Sequence, residues 1–159
     1  MIQAKFPPGE YNMFCVFGKG ITIDDISLQS YCSLATIEIE SNLSFVGIGQ
    51  DNCFRQEYSH FQLKGTVTTD KLLFEKTYLK SMPGCVPRHS ILYELKNIGG
   101  GFYGSYSLGV LNGQIAYELY IKETPKDERL TEAEFIKAYV ENNKGYAVCV
   151  VYPTAFSIH

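Results

Sequence analysis

The sequence predicts an all-β protein: an up-and-down antiparallel meander barrel of about eight to nine strands with one short helix near the C-terminus. Three observations support this prediction. Short segments alternate between apolar and polar residues with a period of two, as half-buried strands do. Brief turns rich in Gly, Asn, Asp and Pro separate the segments. Helical periodicity is confined to one stretch near the C-terminus.

Nine segments carry the alternation that is typical of strands. Residues 60–67 illustrate it, with Phe61 and Leu63 on one face and polar side chains on the other. The dipeptide Asn112-Gly113 is typical of a hairpin and predicts a turn before the eighth segment. The predicted strands are 10–17, 34–40, 43–48, 60–67, 71–78, 90–96, 102–108, 114–121 and 146–152.

The predicted helix covers residues 131–143 and lies before the last strand. Thr131 and Glu134 fit a capping box, in which each side chain accepts a hydrogen bond from the other residue's backbone amide. Gly145 is placed to end the helix in a left-handed turn. The apolar face of this helix consists of Phe135, Ile136, Tyr139 and Val140.

Many short strands joined by turns must hide their edges, and closure into a barrel is one way to do so. Gly65, Gly104 and Gly109 lie inside or at the ends of predicted strands, where a small barrel needs close backbone approach. The alternatives are that these glycines only end short strands, and that the strands form a two-sheet sandwich. In either case we expect a single domain over residues 1–159.

The charge and hydropathy of the chain argue against binding to nucleic acid, against a membrane span and against a secretory signal. The chain has 14 Lys and Arg against 17 Asp and Glu, a formal charge of −3, so we expect no binding to nucleic acid. No apolar run approaches the roughly 18 residues needed to cross a bilayer. Read as a complete chain, the sequence begins without the apolar segment of a secretory signal, so we expect a cytoplasmic protein.

The five cysteines are spaced widely and unequally, and no two have the spacing of a zinc or redox site. We therefore expect no metal site and interpret most cysteines as small buried apolar residues in a reducing compartment. Cys85, near Arg88 and His89 in a proline-rich loop, leaves open an alternative in which a nearby cation activates its thiol.

Residues 99–104 satisfy the Gly-x-Gly-x-x-Gly pattern of phosphate-binding loops. A dinucleotide-binding loop needs a helix to follow, because the amides of the helix N-terminus hold the pyrophosphate. Here the next segment, 102–108, alternates like a strand. We therefore predict a hairpin turn at this position and no cofactor.

Five central segments resemble successive strands of small lipocalin-like and avidin-like barrels, over about residues 43–121. The resemblance implies a meander barrel of the calycin type. It does not imply biotin binding, because the avidin site relies on tryptophans and this chain has none. The segments are Gly47-Ile48-Gly49-Gln50-Asp51, Phe61-Gln62-Leu63-Lys64-Gly65, Phe74-Glu75-Lys76-Thr77-Tyr78, Tyr93-Glu94-Leu95 and Gly104-Ser105-Tyr106.

The candidate ligand-binding residues come from one unusual lysine and from the 12 tyrosines. Lys76 shares a face with apolar residues of its strand, so it either reaches water at the rim or faces a polar cavity, where an anionic or carbonyl ligand would be its partner. Tyrosines on adjoining predicted strands either line a pocket or fill a core. The candidates are Lys76, Tyr78, Tyr93, Tyr106 and Tyr117.

Three functions remain open from the sequence. The first is a non-catalytic binding protein that holds a small apolar or amphipathic ligand in the barrel. The alternative is a structural or protein-interaction module that uses an edge strand, the 79–90 loop or the C-terminal helix. The third is an isomerase or lyase with a tyrosine and a glutamate, such as Tyr93 and Glu94, as acid and base. A cavity of a few hundred cubic ångströms would separate the first from the second.

Overall fold

A computed structural model of the chain describes residues 6–18, 31–52, 56–80, 90–108 and 110–154. Eight strands pair antiparallel in chain order, and the last pairs with the first to close a barrel. The predicted fold class is therefore confirmed, with eight strands. They are β1 (Gly9–Gly18), β2 (Tyr31–Ile39), β3 (Ser44–Asp51), β4 (His60–Val67), β5 (Lys71–Tyr78), β6 (Ser90–Asn97), β7 (Phe102–Leu108) and β8 (Gly145–Pro153).

Alternation along each strand builds the core. Every second side chain points into the barrel, and the apolar side chains among these inward residues form one cluster to which all eight strands contribute. In β4, for example, Phe61 and Leu63 are buried while Gln62 and Lys64 are exposed. The bounds of β4, β5 and β7 agree with the predicted ones to the residue.

The two ends of the barrel differ in the length of their connections. At one end, which we call the turn end, tight turns at 40–43, 68–70 and 98–101 join consecutive strands. The predicted hairpin at 99–104 is confirmed, since the Ile98 amide donates to the Gly101 carbonyl at 2.9 Å. At the other end, the long-connection end, the strands are joined through residues 19–30, 52–59, 79–89 and 109–144.

The turn end is closed by the residues that precede β1. The buried Phe6 ring lies 5.9 Å from the Tyr11 ring and 6.3 Å from the Phe102 ring. The Tyr11 hydroxyl donates to the Pro7 carbonyl at 2.6 Å, and burial raises the pKa of this phenol above its ordinary value. The barrel is therefore plugged at this end by its own chain.

Two of the predicted close-approach glycines are confirmed. A methyl group at Gly65 would collide with the Leu73 carbonyl oxygen, and one at Gly104 would collide with the Glu94 carbonyl oxygen. Glycine lets the neighbouring backbones approach at these points, as the tight coiling of a small barrel requires. The third, Gly109, lies outside the described residues.

The prediction of a strand over 114–121 is wrong. These residues belong to helix α1 (Val110–Glu123), which follows β7. Asn112 does not make a hairpin: its buried side chain donates to the Ser90 carbonyl at 2.8 Å and so docks the start of α1 on β6. Gly113 lies against Ile136, where a side chain would meet Cγ2 at 3.0 Å, so it permits close packing of a second helix.

That second helix, α2 (Glu132–Asn142), confirms the predicted capping box. The Glu134 amide donates to the Thr131 hydroxyl at 3.2 Å, and the Thr131 amide donates to a Glu134 carboxylate oxygen at 3.1 Å. Gly145 does not end the helix, contrary to our expectation. Asn143 caps it, and Gly145 begins β8, where the Tyr106 ring leaves no room for a side chain.

None of the helices in the described part of the chain is both long enough and apolar enough to cross a membrane.

Candidate functional site

A buried ion pair lies inside the barrel. Lys76 of β5 is only 2% exposed, and its Nζ lies 2.7 Å from Oδ1 of Asp51, the last residue of β3. Lys76 therefore points inward and does not reach water at the rim. The anionic partner anticipated for an inward lysine is supplied by the chain itself.

Both oxygens of the Asp51 carboxylate accept a hydrogen bond. The Tyr78 hydroxyl donates to its Oδ2, while Lys76 occupies Oδ1. The Asp51 backbone amide donates to the Ser59 carbonyl at 3.0 Å, which holds the end of β3 in place. A charged pair buried with partners on both carboxylate oxygens avoids most of the cost of an isolated charge.

Aromatic rings enclose the Lys76 ammonium group. Its Nζ lies 4.4 Å from the centre of the Phe17 ring and 4.3 Å from that of Phe61, within the range of cation–π attraction. The Tyr78 and Tyr93 rings follow at 5.1 and 5.9 Å. The ammonium group therefore lies among four rings, which come from β1, β4, β5 and β6.

The structure brings four of the five candidate ligand-binding residues together. Lys76, Tyr78 and Tyr93 are buried core residues, and Tyr106 packs against them with its ring 5.3 Å from that of Tyr93. Tyr117 is not among them. It lies on α1, where its ring contacts Tyr120 and Phe135 between the two helices, because the segment expected to be a strand is helical.

The acid–base pair considered for an enzyme does not share a site. Tyr93 and Glu94 are neighbours on β6, so they point to opposite faces of the sheet. Tyr93 is buried in the barrel, whereas Glu94 is exposed on the outer wall.

Sequence reasoning missed Asp51, since the third predicted strand ends at residue 48 and leaves Asp51 beyond it. The available signal was the alternation of β3, in which residues 45, 47, 49 and 51 share the inward face. It was weak because two of these four residues, Gly47 and Gly49, have no side chain.

Sequence reasoning also missed a disulfide. Cys15 of β1 lies directly opposite Cys149 of β8, with 4.2 Å between their Cα atoms, and the two are bonded across 134 residues of sequence. Both are buried, as expected for most of the cysteines, but they are not free thiols. Cys32 is free. The other two cysteines, Cys53 and Cys85, lie outside the described residues, as do Arg88 and His89.

Among the residues that the structure describes, side chains fill the barrel interior around the ion pair. The cavity that the structure shows there has a volume of about 10 Å³, room for roughly one water molecule. It is lined by Met13, Cys15, Ser33, Ala35, Phe61, Leu63, Phe74, Lys76 and Tyr93.

A much larger concavity lies on the outer wall of the barrel. We call it the acidic groove; it has a volume of about 830 Å³ and crosses β2, β3, β4 and β5. Val46 and Ile48 stand in it with 57% and 67% of their surfaces exposed. Its other lining residues are Glu10, Thr36, Ile37, Glu38, Gly47, Gln62, Leu63, Lys64, Glu75 and Thr77.

Within residues 6–18, 31–52, 56–80, 90–108 and 110–154, no three His, Cys, Asp or Glu side chains lie close enough together to hold a metal ion. Comparison of the chain with protein-family models, with curated proteins and with solved structures finds no match. Topology alone therefore classifies this protein as an eight-stranded antiparallel meander barrel.

Proposed function

We propose that this protein is a non-catalytic binding module that recognises a partner protein through the acidic groove. One observation carries the proposal. The described interior leaves about 10 Å³ around the ion pair, whereas the outer wall offers a concavity of about 830 Å³. The volume needed for a small-molecule site is a few hundred cubic ångströms. In this proposal the filled barrel is a rigid scaffold.

The groove has the composition of a recognition surface. Two aliphatic side chains, Val46 and Ile48, are more than half exposed on one strand, and burial of this exposed surface by a partner would be favourable by about 1–2 kcal/mol each. Gly47 lies between them, where a methyl group would approach Cγ2 of Ile37 to 2.6 Å. Glycine therefore lets β3 pack closely on β2 beneath these two exposed side chains.

The charges of the groove favour a basic partner. Glu10, Glu38 and Glu75 line it against the single lysine Lys64. A segment that combines apolar side chains with Lys or Arg would complement both the exposed aliphatic residues and these carboxylates. This surface replaces the edge strand considered from the sequence, because every strand of the closed barrel pairs with two neighbours.

Peptide selection tests this proposal although the partner is unidentified. Random peptides would be selected on the immobilised protein, and the Kd of the enriched sequences would be measured by fluorescence anisotropy. We expect sequences that combine apolar residues with Lys or Arg, and at least a tenfold weaker Kd for Val46→Ser/Ile48→Ser and for Glu38→Lys/Glu75→Lys.

Leu92→Ser is the matched control, because Leu92 is an exposed leucine on β6 that does not line the groove. It should leave the Kd unchanged. The proposal would be wrong if the groove variants bound the selected peptides as tightly as the wild type, with unchanged circular dichroism in all variants.

A second candidate function is the binding of a small apolar or amphipathic ligand inside the barrel, as in the lipocalin-like and avidin-like proteins that the sequence resembles. The observation that favours it is the cluster of Lys76, Tyr78, Tyr93 and Tyr106 in the interior. Such a ligand would have to displace core side chains. Native mass spectrometry tests it: a stoichiometric adduct supports this function, and a bare mass together with no saturable uptake of an apolar fluorescent probe argues against it.

We further propose an oxidising compartment for this protein, in place of the cytoplasm expected from the sequence. The Cys15–Cys149 disulfide supports this, because such bonds persist mainly outside the reducing cytosol. Free thiols would be alkylated in the cells that make the protein, before lysis, and again after denaturation without a reductant. Two cysteines that stay unalkylated would support an oxidising compartment, and alkylation of every cysteine would contradict it.

A further inference from the structure

A second depression on the outer wall has a different chemistry from the acidic groove. It has a volume of about 420 Å³ and lies over β5 to β8. Gly104 and Leu95 contribute to its floor. We call it the lysine–tyrosine surface, after the residues Lys71, Lys96, Lys144, Tyr103 and Tyr146 that line it.

Two of its lysines face each other directly. Lys71 of β5 is paired in register with Lys96 of β6, and both side chains are exposed on the outer face. Like charges in directly opposite positions destabilise a sheet. Lys144, just before β8, adds a third ammonium group to the lining, against one carboxylate from Glu94. An anion between Lys71 and Lys96 would relieve this repulsion.

An aromatic platform adjoins the lysines. The Tyr103 and Tyr146 rings are nearly parallel, with 7° between their planes and 6.1 Å between their centres. Tyr146 is 38% exposed, and Tyr103 lies directly opposite Lys96 in the register of β6 and β7. A flat ring can therefore stack on an exposed tyrosine close to the paired ammonium groups.

We propose that the lysine–tyrosine surface binds a ligand that joins an aromatic ring to a phosphate, that is, a ligand of the nucleotide class. The ring stacks on the Tyr103–Tyr146 platform, and the phosphate lies between Lys71 and Lys96. Whole-chain charge argued against nucleic acid, but three lysines on one patch create a local positive field that the net charge does not reveal. This inference does not depend on the acidic groove, and either site can fail without the other.

Titration calorimetry on the full chain tests the proposal with four probes: AMP, adenosine, inorganic phosphate and a four-nucleotide single strand of DNA. We expect AMP to bind at least tenfold more tightly than adenosine or phosphate, and to weaken as salt is added. A tighter Kd for the single strand than for AMP would identify the strand as the source of the nucleotide, and an equal or weaker Kd would identify free nucleotide. Both results support the proposal.

Variants connect the binding to the site. Lys71→Gln/Lys96→Gln and Tyr146→Ala should each weaken AMP binding at least tenfold, while Lys137→Gln, which removes an exposed lysine of α2 outside both surfaces, should not. The lysine double variant should also be no less stable to heat than the wild type, because it removes a like-charge pair. A thermal midpoint equal to or above that of the wild type would show that weaker AMP binding by this variant is not caused by a folding defect.

Three results would overturn the proposal. Phosphate that binds as tightly as AMP would show a simple anion site without ring recognition. No detectable heat with any probe at millimolar concentration would show that the surface binds none of them. AMP binding that survives both the lysine and the tyrosine variants would place the nucleotide elsewhere on the protein.

Discussion

The ammonium nitrogen of Lys76 lies 2.7 Å from a carboxylate oxygen of Asp51, although the two residues stand on strands β5 and β3 with β4 between them. The ion pair therefore connects β3 and β5 across the inner face of β4. A buried charged pair tolerates few alternative arrangements, so it favours one register for three consecutive strands. Removal of one member of this pair should lower the free energy of unfolding more than removal of an exposed side chain does.

Lys76→Met should lower the free energy of unfolding by about 3–5 kcal/mol, because it removes the ammonium group that lies against the buried Asp51 carboxylate. Chemical denaturation followed by circular dichroism would measure the loss. Lys64→Met, which changes an exposed lysine on the neighbouring strand, is the control and should change the value by less than about 0.5 kcal/mol.

The double variant Lys76→Met/Asp51→Leu should recover most of that loss, because two apolar side chains of similar size can replace a buried ion pair. A single Lys76→Met variant as stable as the wild type would contradict the buried ion pair itself.

The Cys15–Cys149 disulfide should resist reduction in the folded protein, because both cysteines are buried. Dithiothreitol followed by iodoacetamide should alkylate only accessible thiols such as Cys32 until urea is added. Cys15→Ala/Cys149→Ala should lower the free energy of unfolding by about 2–5 kcal/mol, since the bond closes a long loop in the unfolded chain.

Cys32→Ala is the control for the disulfide variant and should cost less than about 1 kcal/mol, because Cys32 is a partly exposed free thiol. Alkylation of Cys15 and Cys149 in urea without any reductant would show that the bond is absent.

Gly104→Ala should destabilise the barrel by about 1–3 kcal/mol or prevent folding, because the new methyl group would meet the Glu94 carbonyl oxygen and lie 2.8 Å from Cα of Leu95. Gly100→Ala is a matched control in the neighbouring turn, where a methyl group meets nothing within 4 Å. Equal thermal midpoints for the two variants would contradict the close approach of β6 and β7.

The pKa of Glu134 should lie below its ordinary value, because the Thr131 hydroxyl and amide both donate to its carboxylate. A lowered pKa means that this cap stabilises α2 above the ordinary pKa and that the contribution is lost as pH falls through the folded value. Carbon-detected NMR titration would measure it. Thr131→Val should raise the pKa towards its ordinary value, because it removes the hydroxyl donor and leaves the backbone amide. An unchanged pKa in that variant would contradict the capping box.

Most of the barrel could be predicted because the two-residue alternation of strands and the residues of tight turns are visible within short stretches of sequence. Strands such as β4 carry unbroken alternation between clear turns, so both their bounds and their inward faces follow from the sequence. Helix α1 shows the limit of this reasoning. In the sequence, the apolar residues Ile115, Tyr117 and Leu119 occupy every second position, as they would in a strand. In the structure, Gly113 and Ala116 are both buried, and their spacing of three residues is helical. The choice between the two periods is made by packing against α2.

The candidate site could be predicted only in part, because it depends on register across the barrel. Alternation placed Lys76 and Tyr78 on one face of β5, but nothing local indicated that Asp51, 25 residues earlier than Lys76, would meet them. The disulfide depends likewise on which strand closes the barrel against β1. The grooves on the outer wall depend likewise on which exposed residues the register places side by side, as it does Lys71 and Lys96.

In the proposed function the barrel is a filled scaffold, and the partner binds outside it. The most direct test is a map of backbone amide NMR shifts in the uniformly labelled protein, recorded while a selected basic and apolar peptide is added. We predict that the largest changes fall at Val46, Ile48 and their neighbours in the acidic groove. Shift changes concentrated at Tyr93, Tyr106 and the other interior residues, with the acidic groove unaffected, would contradict binding on the outer wall.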